Sequence, residues 1–379
     1  MKYIAEFRDA ALARNLATAI KAEVDPGRRY NLMEFCGGHT HAISRYGVAD
    51  LLPSAVHLIH GPGCPVCVLP IGRIDLAIQL ALEQRVILCT YGDCMRVPAS
   101  KQLSLIKAKA GGGDVRMVYS PADALKIALA QPDRQVMFFA IGFETTTPPT
   151  ALVILEAAQL GLTNFTVLAN HVLTPAAISN ILESPEVRQL GTLPLDGFIG
   201  PAHVSIIIGS QPYEFFSEEY RKPVVIAGFE PLDVMQAVLM LVRQINQGRS
   251  EVENEFSRAV TREGNAKAQA VVSEVFELRR SFEWRGLGEV PYSALRIREA
   301  FAAFDAERRF ELRTHSVADN KACECGAILR GLKHPRDCKV FGTVCTPENP
   351  IGSCMVSSEG ACAAYYSYGR FREIDVVAV

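Results

Sequence analysis

Short apolar runs alternate with amphipathic stretches along most of this chain. Residues 5 to 24 carry apolar positions at helical spacing and stop at Asp25-Pro26-Gly27. The runs 31 to 35 and 55 to 60 predict strands, with a helix from about 40 to 50 between them. Ile71 to Gln84 reads as a helix and Arg85 to Tyr91 as a buried strand. After Gly111-Gly-Gly-Asp114 the pattern restarts with strands at 116 to 119, 135 to 141 and 165 to 169, separated by helices at 121 to 131 and 149 to 160. Strand-like runs recur near Phe198 and from Lys222, where Gly228-Phe-Glu230 repeats Gly142-Phe-Glu144. Alternation of this kind predicts parallel βαβ units. The expected fold is α/β: two similar parallel-sheet domains, 1–114 and 115–230, then a helical and cysteine-rich region, 231–379, with helices at Pro231 to Gly248 and about 250 to 263 and 291 to 304.

In open parallel sheets, ligands bind beyond the carboxyl ends of the strands. Cys36, His39, Cys64, Cys67, Asp93, Glu144, His171, His203 and Glu230 each follow an apolar strand-like run. Two facing α/β domains would bring such loops to one cleft. Neither Gly-x-Gly-x-x-Gly nor a Walker A loop is present, so a standard phosphate loop is not expected.

Bulk properties narrow the classes. With 379 residues, 49% hydrophobic and 21% charged, the chain is long enough for two or three cored domains. A net charge of -2 gives no footprint for nucleic acid. No apolar run is long enough to span a bilayer, and the N-terminus is charged and amphipathic without the apolar centre of a signal peptide. A cytoplasmic protein is expected. There thiols stay reduced, and clustered cysteines mean metal or redox chemistry.

The eleven cysteines fall into two zones, five before residue 95 and six from 323 to 362. In the first, Met33-Glu-Phe-Cys-Gly-Gly-His-Thr-His41 and Gly61-Pro-Gly-Cys-Pro-Val-Cys67 deliver thiols on glycine loops. The Cys64/Cys67 spacing suits a small disulfide or a soft metal. In the second, Cys323, Cys325, Cys338, Cys345, Cys354 and Cys362 lie among glycines and prolines, backbone suited to wrapping a cluster. Six thiols exceed the four that a [4Fe-4S] cluster takes, and the surplus two suit an adjacent dithiol. Bland readings stand beside these. The tail could hold tetrahedral zinc, Glu144 could cap the following helix, His171 and His203 fit satisfied or cleft-lining histidines, and Trp284 fits packing.

Cys36-Gly-Gly-His-Thr-His41, Gly61 to Cys67, Gly142-Phe-Glu-Thr-Thr-Thr-Pro148 and the tail from Cys323 to Tyr366 together resemble the HypD family of hydrogenase maturation proteins, over essentially the whole chain. The resemblance implies two α/β domains plus a C-terminal iron-sulfur domain. It implies assembly of the Fe(CN)2CO group of [NiFe]-hydrogenase with a HypC-type chaperone and a HypE-type cyanide donor. Cys36 is then the iron ligand with His39 close by, and Cys64/Cys67 a redox dithiol near it. Cluster ligation falls to Cys323, Cys338, Cys345 and Cys362, leaving Cys325 and Cys354 as the adjacent pair. Donors expected for the cyanide nitrogens are glycine-loop amides, His39 or a threonine of 145 to 147, while Glu144 would accept a proton or orient a ligand. Two other classes remain open: an iron-sulfur thiol-disulfide reductase of ferredoxin-thioredoxin type, and a zinc-stabilised interaction protein.

Overall fold

The computed structural model describes residues 6–183, 195–313 and 315–369. Residues 1–5, where the charged N-terminal stretch begins, and 370–379, where the expected third region ends, lie outside the described residues.

Nine strands build two sheets: β1 (Tyr30–Glu34), β2 (Val56–His60), β3 (Ile87–Thr90), β4 (Val115–Met117), β5 (Val136–Gly142), β6 (Phe165–His171), β7 (Gly197–Pro201), β8 (Val224–Ala227) and β9 (Val252–Asn254). Their orders are β2-β1-β7-β8-β9 and β4-β3-β5-β6. Every pairing in both is parallel. The strand β5, Val-Met-Phe-Phe-Ala-Ile-Gly, is buried at each position. That is what a parallel strand covered by helices on both faces requires. Helix Pro231–Asn246 buries its apolar stripe on the first sheet beside helix Ala10–Glu23.

The expected α/β class with two parallel sheets is present, but the boundaries at 114 and 230 do not follow the sheets. A cut at 114 separates β3 from its register partner β4, in which Leu88 faces Val115. The strands β7 and β8, expected with the second sheet, return to the first. The first lobe therefore combines β1 and β2 with β7 to β9, and the second is inserted between them. Apolar periodicity reports that a strand is covered on both faces. It carries no record of which strand lies alongside.

The third region also departs from expectation. Residues 252–254, expected within a helix, are β9 at the edge of the first sheet. Helix Ala266–Val275 then leads into two antiparallel pairs, β10 (Phe276–Leu278) with β13 (Leu295–Ile297), and β11 (Ser281–Trp284) with β12 (Gly288–Pro291). They replace most of the helix expected at 291 to 304, of which a 3-10 segment, Glu299–Phe304, remains. Phe282, Trp284 and Val290 are buried at alternate positions, and Gly286 and Gly288 take φ of 83° and 80° in the turn between them. Trp284 is fully buried and donates from Nε1 to Ser293 Oγ at 2.8 Å, the packing role expected of it.

The tail builds no core of its own. Cys325, Cys338, Cys345, Cys354 and Cys362 share one apolar cluster with Cys64, Cys67, Leu88, Met137 and Trp284. Helix Ala361–Tyr368 lies along helix Gly37–Tyr46 of the first lobe. Among the described residues no helix is long and apolar enough to cross a membrane.

Candidate functional site

The chain leaves β1 through Glu34 and Phe35, and Cys36 caps the start of helix Gly37–Tyr46 in an extended conformation. Adjacent β2 ends at His60 and opens into Gly61-Pro-Gly-Cys64. Parallel register places Glu34 beside His60, so both loops leave from one edge. The Gly37 amide donates to the Gly63 carbonyl at 3.0 Å. A Cβ at Gly63 would sit 2.3 Å from the Cys36 nitrogen and 2.5 Å from its Cα. The two cysteine loops thus touch backbone to backbone, and glycine is what permits it. Cys64 and Cys67 are buried and joined in a disulfide with Cα atoms 5.2 Å apart, whereas Cys36 is a partly exposed free thiol.

Burial, then the charges of Glu359 and Glu34, push the Cys36 thiol above the usual cysteine range, while the Gly38 and His39 amides at the helix start pull the other way. A metal binding here would displace the proton, and those two amides are aimed at the sulfur it would leave charged.

His39 is fully buried, and its Nε2–H is shared between the carbonyls of Ala227 and Gly228 at 3.0 Å each. Burial lowers its pKa and so favours the neutral ring. With Nε2 protonated, Nδ1 is an acceptor that has no partner. His39 therefore has no spare N–H for a cyanide nitrogen. Thr146 and Thr147 are engaged as well, donating to the carbonyls of Ile141 and Phe143. The His39 ring packs on Phe229, 4.8 Å between centroids, and His203 packs on the same Phe229 ring at 4.1 Å.

The tail seats on both loops. The Ser353 hydroxyl donates to the Cys67 carbonyl at 2.6 Å, Ser357 donates to Asp93 Oδ2 at 2.6 Å, and His41 Nδ1 to the Ser358 carbonyl at 3.3 Å. A Cβ at Gly37 would meet Glu359 Cβ at 2.4 Å, and one at Gly360 would stand 3.0 Å from Cys67 Sγ and 2.3 Å from the Cys354 carbonyl oxygen.

Within the tail, the Cys325 thiol interacts with those of Cys323, Cys354 and Cys362, and the Cys354 thiol with that of Cys362. Cys345 Sγ accepts from the Ile351 amide at 3.4 Å, and burial raises its pKa, with the charges of Cys323 and Cys338 adding to that. All six thiols lie in or against one apolar cluster. As the side chains stand, no group of three or more His, Cys, Asp or Glu among the described residues is set to hold a metal ion. The donor set fits an iron-sulfur cluster nonetheless. Gly352 leaves space at the sulfurs, since a Cβ there would lie 2.3 Å from Cys323 Sγ and 2.5 Å from Cys325 Sγ. Backbone N–H groups aimed at sulfur are the interaction that tunes such clusters.

A model of the family HypD, described as "Hydrogenase formation hypA family", matches residues 11–369. The chain is similar to the hydrogenase maturation factor HypD of Cupriavidus necator, 74% identical over 378 residues and 100% of both chains. It is 46% identical to the hydrogenase maturation factor HypD of Escherichia coli over 341 residues, 90% of each chain. The chain belongs to the HypD family of hydrogenase maturation factors.

Other residues that the sequence set beside the cysteines of this HypD-family chain have different surroundings. Glu144 accepts from the Thr174 amide at 2.8 Å and the Thr174 hydroxyl at 3.0 Å, so it caps helix Thr174–Glu183 and not the helix that follows it in sequence. Burial raises its carboxyl to about 7. It lines a mostly apolar cavity of about 420 Å³ with Leu173, Ile208, Gln269, Phe276 and Arg298. His171 is fully buried with neither ring nitrogen hydrogen-bonded, and burial lowers its pKa to about 3. Glu230 pairs with Arg8 at the start of helix Pro231–Asn246. Cys89 and Cys94 are buried.

Sequence reasoning missed Glu34. It is fully buried, with Oε2 accepting from the Cys36 amide at 2.9 Å and Oε1 accepting from His60 Nδ1 at 2.8 Å and from the Thr40 hydroxyl. One signal was available: a carboxylate inside the apolar run Leu-Met-Glu-Phe is too costly to bury without partners.

Proposed function

We propose that this maturation factor is a redox-active scaffold on which the Fe(CN)2CO group of [NiFe]-hydrogenase is assembled. Iron is held by Cys36 together with a HypC-type chaperone, and cyanide comes from a HypE-type donor, in the cytoplasm and without a standard multiple-turnover reaction. The observation that supports this reading most is the direct packing of the Cys36 loop on the Cys64–Cys67 loop.

Iron carrying cyanide and carbon monoxide is soft and electron-rich, and thiolate suits it. Cys36 is the one residue of the three cysteines that is partly exposed, which suits it to share a metal with a partner's ligand. The Cys64/Cys67 pair is assigned as the redox dithiol beside that iron. His39, with its N–H engaged, orients the loop through Ala227 and Gly228 and leaves cyanide recognition to other donors.

The tail is assigned a [4Fe-4S] cluster, with Cys323, Cys338, Cys345 and Cys362 as ligands and Cys325 and Cys354, whose thiols interact, as the neighbouring dithiol. When bound, such a cluster supplies one-electron chemistry beside that pair. Ser353 and Gly360 keep this part of the tail against Cys67.

Infrared spectroscopy of the anaerobically purified protein with its small partner tests the proposal. Bands of iron-bound cyanide and carbon monoxide are expected, and Cys36→Ala should abolish them. Full retention of the bands in that variant overturns Cys36 as the iron ligand, and their absence from the parent complex, as for a reductase, overturns the scaffold. A colourless, zinc-loaded protein overturns the cluster.

A further inference from the structure

Glu34 stands between the two reactive loops without touching either sulfur through its side chain. Its carboxyl spans the first turn of helix Gly37–Tyr46, accepting from the Cys36 amide at 2.9 Å at one end and from the Thr40 hydroxyl at the other. Its Oε1 also accepts from His60 Nδ1 at 2.8 Å, the last residue of β2 before the dithiol loop. Its carbonyl oxygen accepts from the Gly61 amide at 2.9 Å. One residue therefore ties the Cys36 amide, the helix that Cys36 begins and both ends of the turn into Gly61-Pro-Gly-Cys64.

A buried carboxyl is expensive unless its oxygens are satisfied, and a strand in an apolar sheet has cheaper choices at that position. The Cys36 side chain makes no cap hydrogen bond to its own helix, and its amide, which precedes the helix, needs a partner from outside it. Glu34 supplies that fixation from the strand side.

We propose that Glu34 is a positioning residue, which with Thr40 and His60 as struts fixes the backbone of Cys36 and holds its loop in register with the Cys64–Cys67 loop. This rests on the reading of Cys36 as the anchor. Its physical content is narrower: Glu34 restrains a thiol and a disulfide that would otherwise move independently. It acts through the Cys36 amide and the helix turn, and does not itself touch the reacting atoms.

The test measures residue-level alkylation of Cys36 by iodoacetamide in the native full chain, read by peptide mass spectrometry, with buried Cys89 as internal control. Thr40→Val removes one strut, keeps the charge of Glu34 and preserves side-chain volume. It should speed labelling of Cys36 about fivefold, the factor held back by a hydrogen bond of ordinary strength. Glu34→Gln removes the charge but keeps an acceptor for the Cys36 amide, whereas Glu34→Ala removes both, so alanine should exceed glutamine by a similar factor. His60→Ala, which frees the strut to the second loop, should speed reduction of the Cys64–Cys67 disulfide by dithiothreitol. Cys89 labelling should stay unchanged throughout.

Equal acceleration by glutamine and alanine would mean that charge alone acts, and overturns the positioning role. So does a Cys36 rate in Thr40→Val within twofold of the parent, or acceleration matched at Cys89, which would signal general loosening. None of these readouts needs iron. If the infrared bands are missing from the parent complex while the labelling series behaves as expected, the scaffold reading fails and the positioning role stands.

Discussion

The hydroxyl of Ser353 donates to the main-chain carbonyl of Cys67 at 2.6 Å, fastening a tail segment to a loop nearly three hundred positions earlier. Both groups are buried. In Ser353→Ala the carbonyl loses its donor in a site closed to water, which should cost about 1–3 kcal/mol. Urea unfolding of reduced and oxidised protein measures it, and the loss should be accompanied by faster reduction of the Cys64–Cys67 disulfide.

Gly63→Ala puts a methyl group against the Cys36 backbone, where no side chain can swing away. Complementation of a strain lacking this maturation factor should fall to background. Gly111→Ala, whose new Cβ would find its nearest neighbour at 3.4 Å, should complement fully.

Gly352→Ala forces the Cys323 and Cys325 sulfurs to move. Iron and acid-labile sulfide in the anaerobically purified protein should fall well below parent levels, while far-ultraviolet circular dichroism stays the same. Full iron content in this variant would contradict the assignment of those thiols to the cluster and its neighbour.

Glu144 links stability to pH. Its carboxyl is raised from 4.5 to about 7 by burial, so the folded state holds a proton that the unfolded chain releases. The stabilisation is complete below pH 4.5 and is lost as pH rises through about 7, a contribution on the order of 3 kcal/mol. In Glu144→Gln this part of the slope should vanish between about pH 4.5 and 7, as measured by denaturant titration at several pH values. An unchanged slope would mean that Thr174 satisfies the ionised carboxylate well enough to offset burial.

Much of the site was legible because its chemistry is local. Cysteine beside glycine at a strand end can be read in a few residues, and parallel register then brings the loops of Cys36 and Cys64 together. The partners of His39 were not legible. Its N–H is taken by Ala227 and Gly228, at the end of a strand far along the chain. The role of Glu144 went to a helix beginning at Thr174 for the same reason. Neither contact leaves a periodic signal, since each depends on which strands become neighbours. Sheet membership failed likewise: every strand of β1 to β8 was visible as an apolar run, yet the runs alone could not show that β7 settles next to β1.

That placement of β7 has a consequence for synthesis of the chain. The pair β1–β2 emerges early, but a two-stranded sheet is at best marginally stable in water, and its central neighbour begins at residue 197. The whole four-stranded inserted lobe leaves the ribosome first and can close its own sheet while the earlier pair waits. A nascent chain of this protein thus carries its most reactive loop on unfinished ground, and the thiols meet in a defined setting once the second half arrives.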